Sequence, residues 1–83
     1  MNNTIKAATN YITSNKVVMD FLSNEARGQV ASDIRTKTGS GTTAKGVEVL
    51  LMNGNDKTIS ERFEKYLMAG VASAVAMRIE SIA

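Results

Sequence analysis

The stretch Thr58-Ile59-Ser60-Glu61-Arg62-Phe63-Glu64-Lys65-Tyr66-Leu67-Met68-Ala69-Gly70-Val71-Ala72-Ser73-Ala74-Val75-Ala76-Met77 decides the fold. Thr58 and Glu61 have the spacing of a capping box, in which the two side chains satisfy each other's free amides at a helix start. Ile59, Phe63, Leu67, Val71 and Val75 then recur every four residues, one face of a helix expected to span residues 59–81. Glu61 and Lys65 form an i,i+4 pair on its surface. Beyond Met68 the residues are small or apolar all round, which predicts burial on every side. Gly70 and Ala74, four apart, leave room for another helix to come close.

The chain upstream reads as helix too. Thr38-Gly39-Ser40-Gly41-Thr42 predicts a Gly-rich turn at residues 38–42. Thr42 or Thr43 can cap the helix that follows, Val47, Leu50 and Leu51 give it an apolar side, and Asn53-Gly54 supplies its stop. A strand over residues 47–52 is the rival reading, but no partner strand is visible. Ser23-Asn24-Glu25 predicts a fresh helix start, with Ala26, Val30, Ala31 and Ile34 as its buried face. Residues 4–22 carry two apolar stripes, Ile5, Ala8 and Ile12, then Val17, Val18, Phe21 and Leu22. The soft break at Ser14-Asn15 leaves open whether they belong to one helix or two. The expected fold is all-α, a compact single-domain bundle of four to five helices over residues 1–83.

Composition narrows the function classes. The 83 residues hold ten basic and eight acidic side chains, for a net charge of +2. There is no Cys, so no disulfide, no thiolate metal site and no cysteine nucleophile. There is no His, which removes the usual general base and the commonest metal ligand. A non-enzyme without cofactor is expected. A core this small rarely supplies more than about 3–5 kcal/mol, so self-association is expected to add stability. The first residues show no basic segment followed by an apolar run, and the uncharged residues 66–77 are fewer than the roughly 20 that cross a bilayer. No membrane span and a cytoplasmic location are therefore expected.

Few features carry chemistry. Residues 38–46 bring Gly, Lys and Thr together but lack the Gly-Lys-Ser/Thr order of a phosphate-binding loop. The carboxylates are scattered and specify no acid/base pair or metal cluster. Arg27, Arg35, Lys37 and Lys45 stand against one acid, Asp33. Residues 24–54 also have the outline of a helix-turn-helix, with residues 42–53 as recognition helix and Leu50 and Leu51 holding it to the core. Arg35, Lys37, Thr42, Thr43 and Lys45 are then the DNA-binding candidates, near the helix N-terminus that meets bases and phosphates. Such motifs often have Ala where Arg35 stands, and +2 is little charge for several phosphates. A second candidate surface lies on the last helix: Ala69, Gly70, Ser73, Ala74 and Met77, as the interface of a homo-oligomer or of a partner helix.

The run Phe21-Leu22-Ser23-Asn24-Glu25-Ala26-Arg27-Gly28-Gln29-Val30-Ala31, with residues 32–39 after it, resembles the lysis-inhibition accessory proteins of T-even type bacteriophages, the product family of the third rapid-lysis locus. The resemblance implies a cytoplasmic regulator that helps delay lysis by supporting the antiholin's restraint of the holin. It implies a holin or antiholin as protein partner and no catalytic residue. From Asp33-Ile34-Arg35 through Lys45 to Asn55-Asp56-Lys57 the chain is also similar to small helical double-stranded-DNA-binding proteins of phages and nucleoids. Inhibition of a host enzyme is a third reading.

Overall fold

The structure, a computed structural model, describes residues 3–39, 41–54 and 56–82. Four helices follow one another: α1 (Asn3–Ser14), α2 (Lys16–Thr38), α3 (Ala44–Asn53) and α4 (Lys57–Ile82). There is no strand among the described residues, so residues 47–52 are helical and the rival hairpin does not form. A fifth helix is likewise not seen there.

Asn15 settles the question of one helix or two. Between α1 and α2 it is extended, and its side-chain oxygen accepts the Val18 N–H at 3.1 Å. This satisfies one of the four amides that a new helix leaves free. The restart expected at Ser23-Asn24-Glu25 does not occur, because α2 passes straight through it. Leu22, Ala26 and Val30 are spaced by four and all face inward. Breaking the helix there would turn one of them out, whereas Ser and Asn inside a helix cost only a few tenths of a kcal/mol.

The last helix also starts differently. Asp56, rather than Thr58, caps it: its carboxylate accepts the Ile59 N–H at 3.1 Å, and Lys57 is already helical. A carboxylate at this position adds a favourable charge at the positive end of the helix dipole. At α3 the expected cap holds, with the Thr43 hydroxyl accepting the Gly46 N–H at 3.2 Å. Gly54 closes α3 with φ 66° and Gly39 closes α2 with φ 74°, a left-handed backbone that favours glycine. The Gly-rich turn expected at residues 38–42 includes Ser40, which lies outside the described residues. Of its flanks, Thr38 still belongs to α2, and residues 41–43 are outside any helix.

The chain is longer than the compact bundle expected. It measures 44 × 23 × 21 Å with a radius of gyration of 14.6 Å, against about 12 Å for a compact domain of this length. The long axis follows from α2 and α4, whose 23 and 26 residues run for roughly 35 and 39 Å at 1.5 Å per residue. Their two halves are covered by different helices. At one end Ala8 and Ile12 of α1 are buried against Val71 and Val75 of α4, with Met19 and Leu22 of α2 beside them. At the other end Val30 and Ala31 of α2 enclose Val47 of α3, with Phe63 and Tyr66 of α4 alongside. Arg78 adds a polar clasp to the first core, its guanidinium 3.8 Å above the Tyr11 ring. No described helix is long and apolar enough to cross a membrane.

Candidate functional site

The DNA-binding candidates gather around the α2–α3 connection, and most of them already have partners there. Arg35 lies in the last turn of α2 and donates to the Thr42 carbonyl at 3.2 Å, tying the connection to the helix it leaves. Thr43 caps α3. Lys45 pairs with Glu48 at 3.4 Å, both side chains well exposed. Thr42 is half-buried, its hydroxyl filling the space beside Gly46 where a Cβ would stand 2.6 Å away. Lys37 is exposed. Leu50 and Leu51, expected to hold α3 to the core, part company: Leu51 packs on the second core, and Leu50 is 39% exposed.

Leu50 instead lines a cleft of about 680 Å³ between α2, the end of α3 and the start of α4. Val30, Ile34 and Ile59 form its apolar lining, with Asp33, Lys37, Asp56 and Arg62 around them. Both carboxylates are engaged within the chain, Asp56 as the α4 cap and Asp33 by two donors from α4.

Those two donors join α4 to α2 at a single carboxylate. The Tyr66 hydroxyl and the Arg62 guanidinium both donate to Asp33 Oδ2, the latter at 3.1 Å. The Tyr66 bond lowers the Asp33 carboxyl below its ordinary value, and Arg62 adds to this while desolvation opposes it. The same bond raises the Tyr66 phenol, helped by desolvation. The partners lie 29 and 33 positions apart, so no local pattern marks them. The charge count had set Asp33 only against Arg27, Arg35, Lys37 and Lys45.

A pH dependence follows with a definite sign at each end. A native carboxyl held below the ordinary 3.8 contributes stability above that pH and loses it as acid protonates the native group. A native phenol held above the ordinary 10.0 contributes stability below that pH and loses it as alkali ionises the native group. Thermal melts are therefore expected to show a plateau between these values with a fall on both sides. Tyr66→Phe should remove Tyr66's contribution to the alkaline fall and only shrink the acid one, since Arg62 still holds Asp33. Unchanged limbs in that variant would dismiss the network as a stabilising element.

The oligomer candidates on α4 divide between two sides. Gly70 and Ala74 face inward: a Cβ at Gly70 would meet the Leu22 side chain at 3.4 Å, and Ala74 packs on the first core. Ala69, Ser73 and Met77 are exposed, as are Ala72 and Ala76. The small-residue half of α4 is thus not enclosed on every side within its own chain. Val71, Val75 and Ile79, with Gly70 and Ala74 beside them, seat this half against α1 and α2.

Other apolar side chains also stand in solvent. Val17 and Phe21, one turn apart on α2, are 78% and 62% exposed, and Met52 at the end of α3 is 79% exposed. No group of His, Cys, Asp or Glu among the described residues is placed to hold a metal ion. Comparison with family models, with curated proteins and with solved structures finds no match to this chain.

Proposed function

We propose that this chain is a small regulator that acts by protein contact and not by catalysis, and that its specific role is phage lysis inhibition in the host cytoplasm through the holin/antiholin system. The observation that carries the reading is the apolar surface left in solvent, above all Phe21 with Val17 on α2. Large side chains of this kind, adjacent on one helix face, are what a partner helix or groove takes up. The resemblance over residues 21–39, which begins at Phe21 itself, supplies the holin or antiholin as partner.

Affinity capture with the full chain from infected cells tests it. Holin or antiholin is expected in the bound fraction, and Phe21→Glu should abolish its capture without loss of helical circular dichroism. Binding to labelled duplex DNA at low salt, weakened by Arg35→Ala and Lys45→Ala and by added salt, with neither lysis protein captured, would replace this reading with the DNA-binding one.

A further inference from the structure

The uncovered side of α4 has an order that reads the same from both ends. At 3.6 residues per turn, Ala69, Ala72, Ser73 and Ala76 form a strip along the helix. Met68 and Met77, 68% and 67% exposed, stand at its two edges. Lys65 and Glu80 lie on the same side, one beyond each end of the strip, and both are exposed. The Glu61–Lys65 pair expected from the i,i+4 spacing does not form, and neither Lys65 nor Glu80 has an ion pair among the described residues. Arg78, two residues before Glu80, stacks over Tyr11 instead.

We propose that this face binds a second copy of the chain: two α4 helices pack antiparallel about a two-fold axis passing between Ala72 and Ser73. In this one register Lys65 lies level with Glu80 of the second copy, Met68 with Met77, and Ala69 with Ala76. Every position on the face meets a fitting one, as a closed two-fold interface requires. A parallel pair would set Lys65 against Lys65 and Glu80 against Glu80. The small side chains along the strip let the helix axes approach to about 8 Å, and the flexible methionines can fill the edges.

The chain leaves 5913 Å² accessible, whereas a compact monomer of 8.9 kDa exposes about 4,800 Å²; the excess belongs to the elongated chain as a whole, of which the α4 face is one part. The face is uncharged between Lys65 and Glu80, which suits a second apolar helix and offers nothing to phosphates. It lies on a different helix from Phe21, so self-association and capture of a lysis protein are separate properties.

Sedimentation equilibrium on the full chain tests the proposal, with a mass of twice 8.9 kDa expected at micromolar concentration. Lys65→Glu should weaken self-association roughly tenfold or more, because two-fold symmetry makes each charge change count twice. Adding Glu80→Lys in the same chain should restore it. The sequence contains no Cys, so crosslinking reads the register directly. Ala69→Cys mixed with Ala76→Cys should form a disulfide between copies on oxidation, and either variant alone should not, because its own thiols lie two turns out of level. A monomer mass at the highest soluble concentration would overturn the proposal. So would a dimer in which the charge swap does not restore affinity and the mixed cysteines do not join.

Discussion

Val47→Asp is expected to leave the chain unfolded. Val47 and Val30 are both 0% exposed and meet in the second core, where α3 is held to α2. A carboxylate there finds no cation among the side chains of that cluster, whose one hydroxyl, that of Tyr66, already donates to Asp33. Removing such a group from water without a partner costs on the order of 4 kcal/mol or more. A single small core supplies about 3–5 kcal/mol in all, so one substitution is enough. Far-ultraviolet circular dichroism should show the helical signal lost at room temperature. Val17→Asp is the matched control: the same change at a side chain 78% exposed should shift stability by less than about 0.5 kcal/mol. Val30→Ala grades the effect, since two lost methyl groups at about 0.8 kcal/mol each plus a cavity amount to about 2 kcal/mol. A folded Val47→Asp protein would mean that α3 is not docked as described.

How much of this could be read from the residues depended on the range of each interaction. α3 was legible because its determinants are local: a threonine hydroxyl three residues before the amide it caps, apolar residues at helical spacing, and Asn53-Gly54 where the left-handed turn falls. The break at Asn15 was visible as a soft spot, but its meaning depended on the neighbours that seat α1. Ser23-Asn24 carried the same local signal as a true cap and was overridden, because Leu22, Ala26 and Val30 bury one continuous stripe. At the start of α4 two capping residues competed two positions apart, and the one with a formal negative charge prevailed. The bonds of Asp33 to Arg62 and Tyr66 left no trace in the order of residues, since they join helices far apart in sequence.

The candidate surfaces show the same division. Small residues all round α4 predict burial on every side, yet smallness fixes only how closely something can approach. Gly70 and Ala74 are met by the chain's own α2 and first core, while Ala69, Ser73 and Met77 are exposed. Of the basic candidates, residue type alone could not tell that Arg35 holds the Thr42 carbonyl or that Lys45 sits beside Glu48. Both duties are structural and local: Lys45 shares its charge with Glu48, whereas Arg35 keeps its full charge beside a neutral carbonyl.

Ile12→Asp is expected to release α1 from the rest of the fold. α1 has 12 residues and buries only Ala8 and Ile12. Helices of this length are marginal in water by themselves, so α1 owes its order to those two contacts and to the clasp between Tyr11 and Arg78. A carboxylate at Ile12, 6% exposed, would face Val71 and Val75 and cost several kcal/mol on the same grounds as at Val47. The difference lies in what remains. The second core contains no residue of α1, and Val30, Ala31 and Val47 stay enclosed by α2, α3 and α4 without it. Hydrogen exchange should therefore show the amides of residues 6–14 unprotected in Ile12→Asp, while Val47 and its neighbours keep measurable protection. The side chains of Met19, Leu22, Val71 and Val75 would then be uncovered, and an apolar dye should bind the variant and not the wild type. If α3 loses its protection together with α1, the two cores form one cooperative unit, and α2 and α4 transmit the damage along their whole length. If α1 stays protected, its docking draws on contacts beyond Ile12, and the first core is sturdier than its two buried α1 side chains imply.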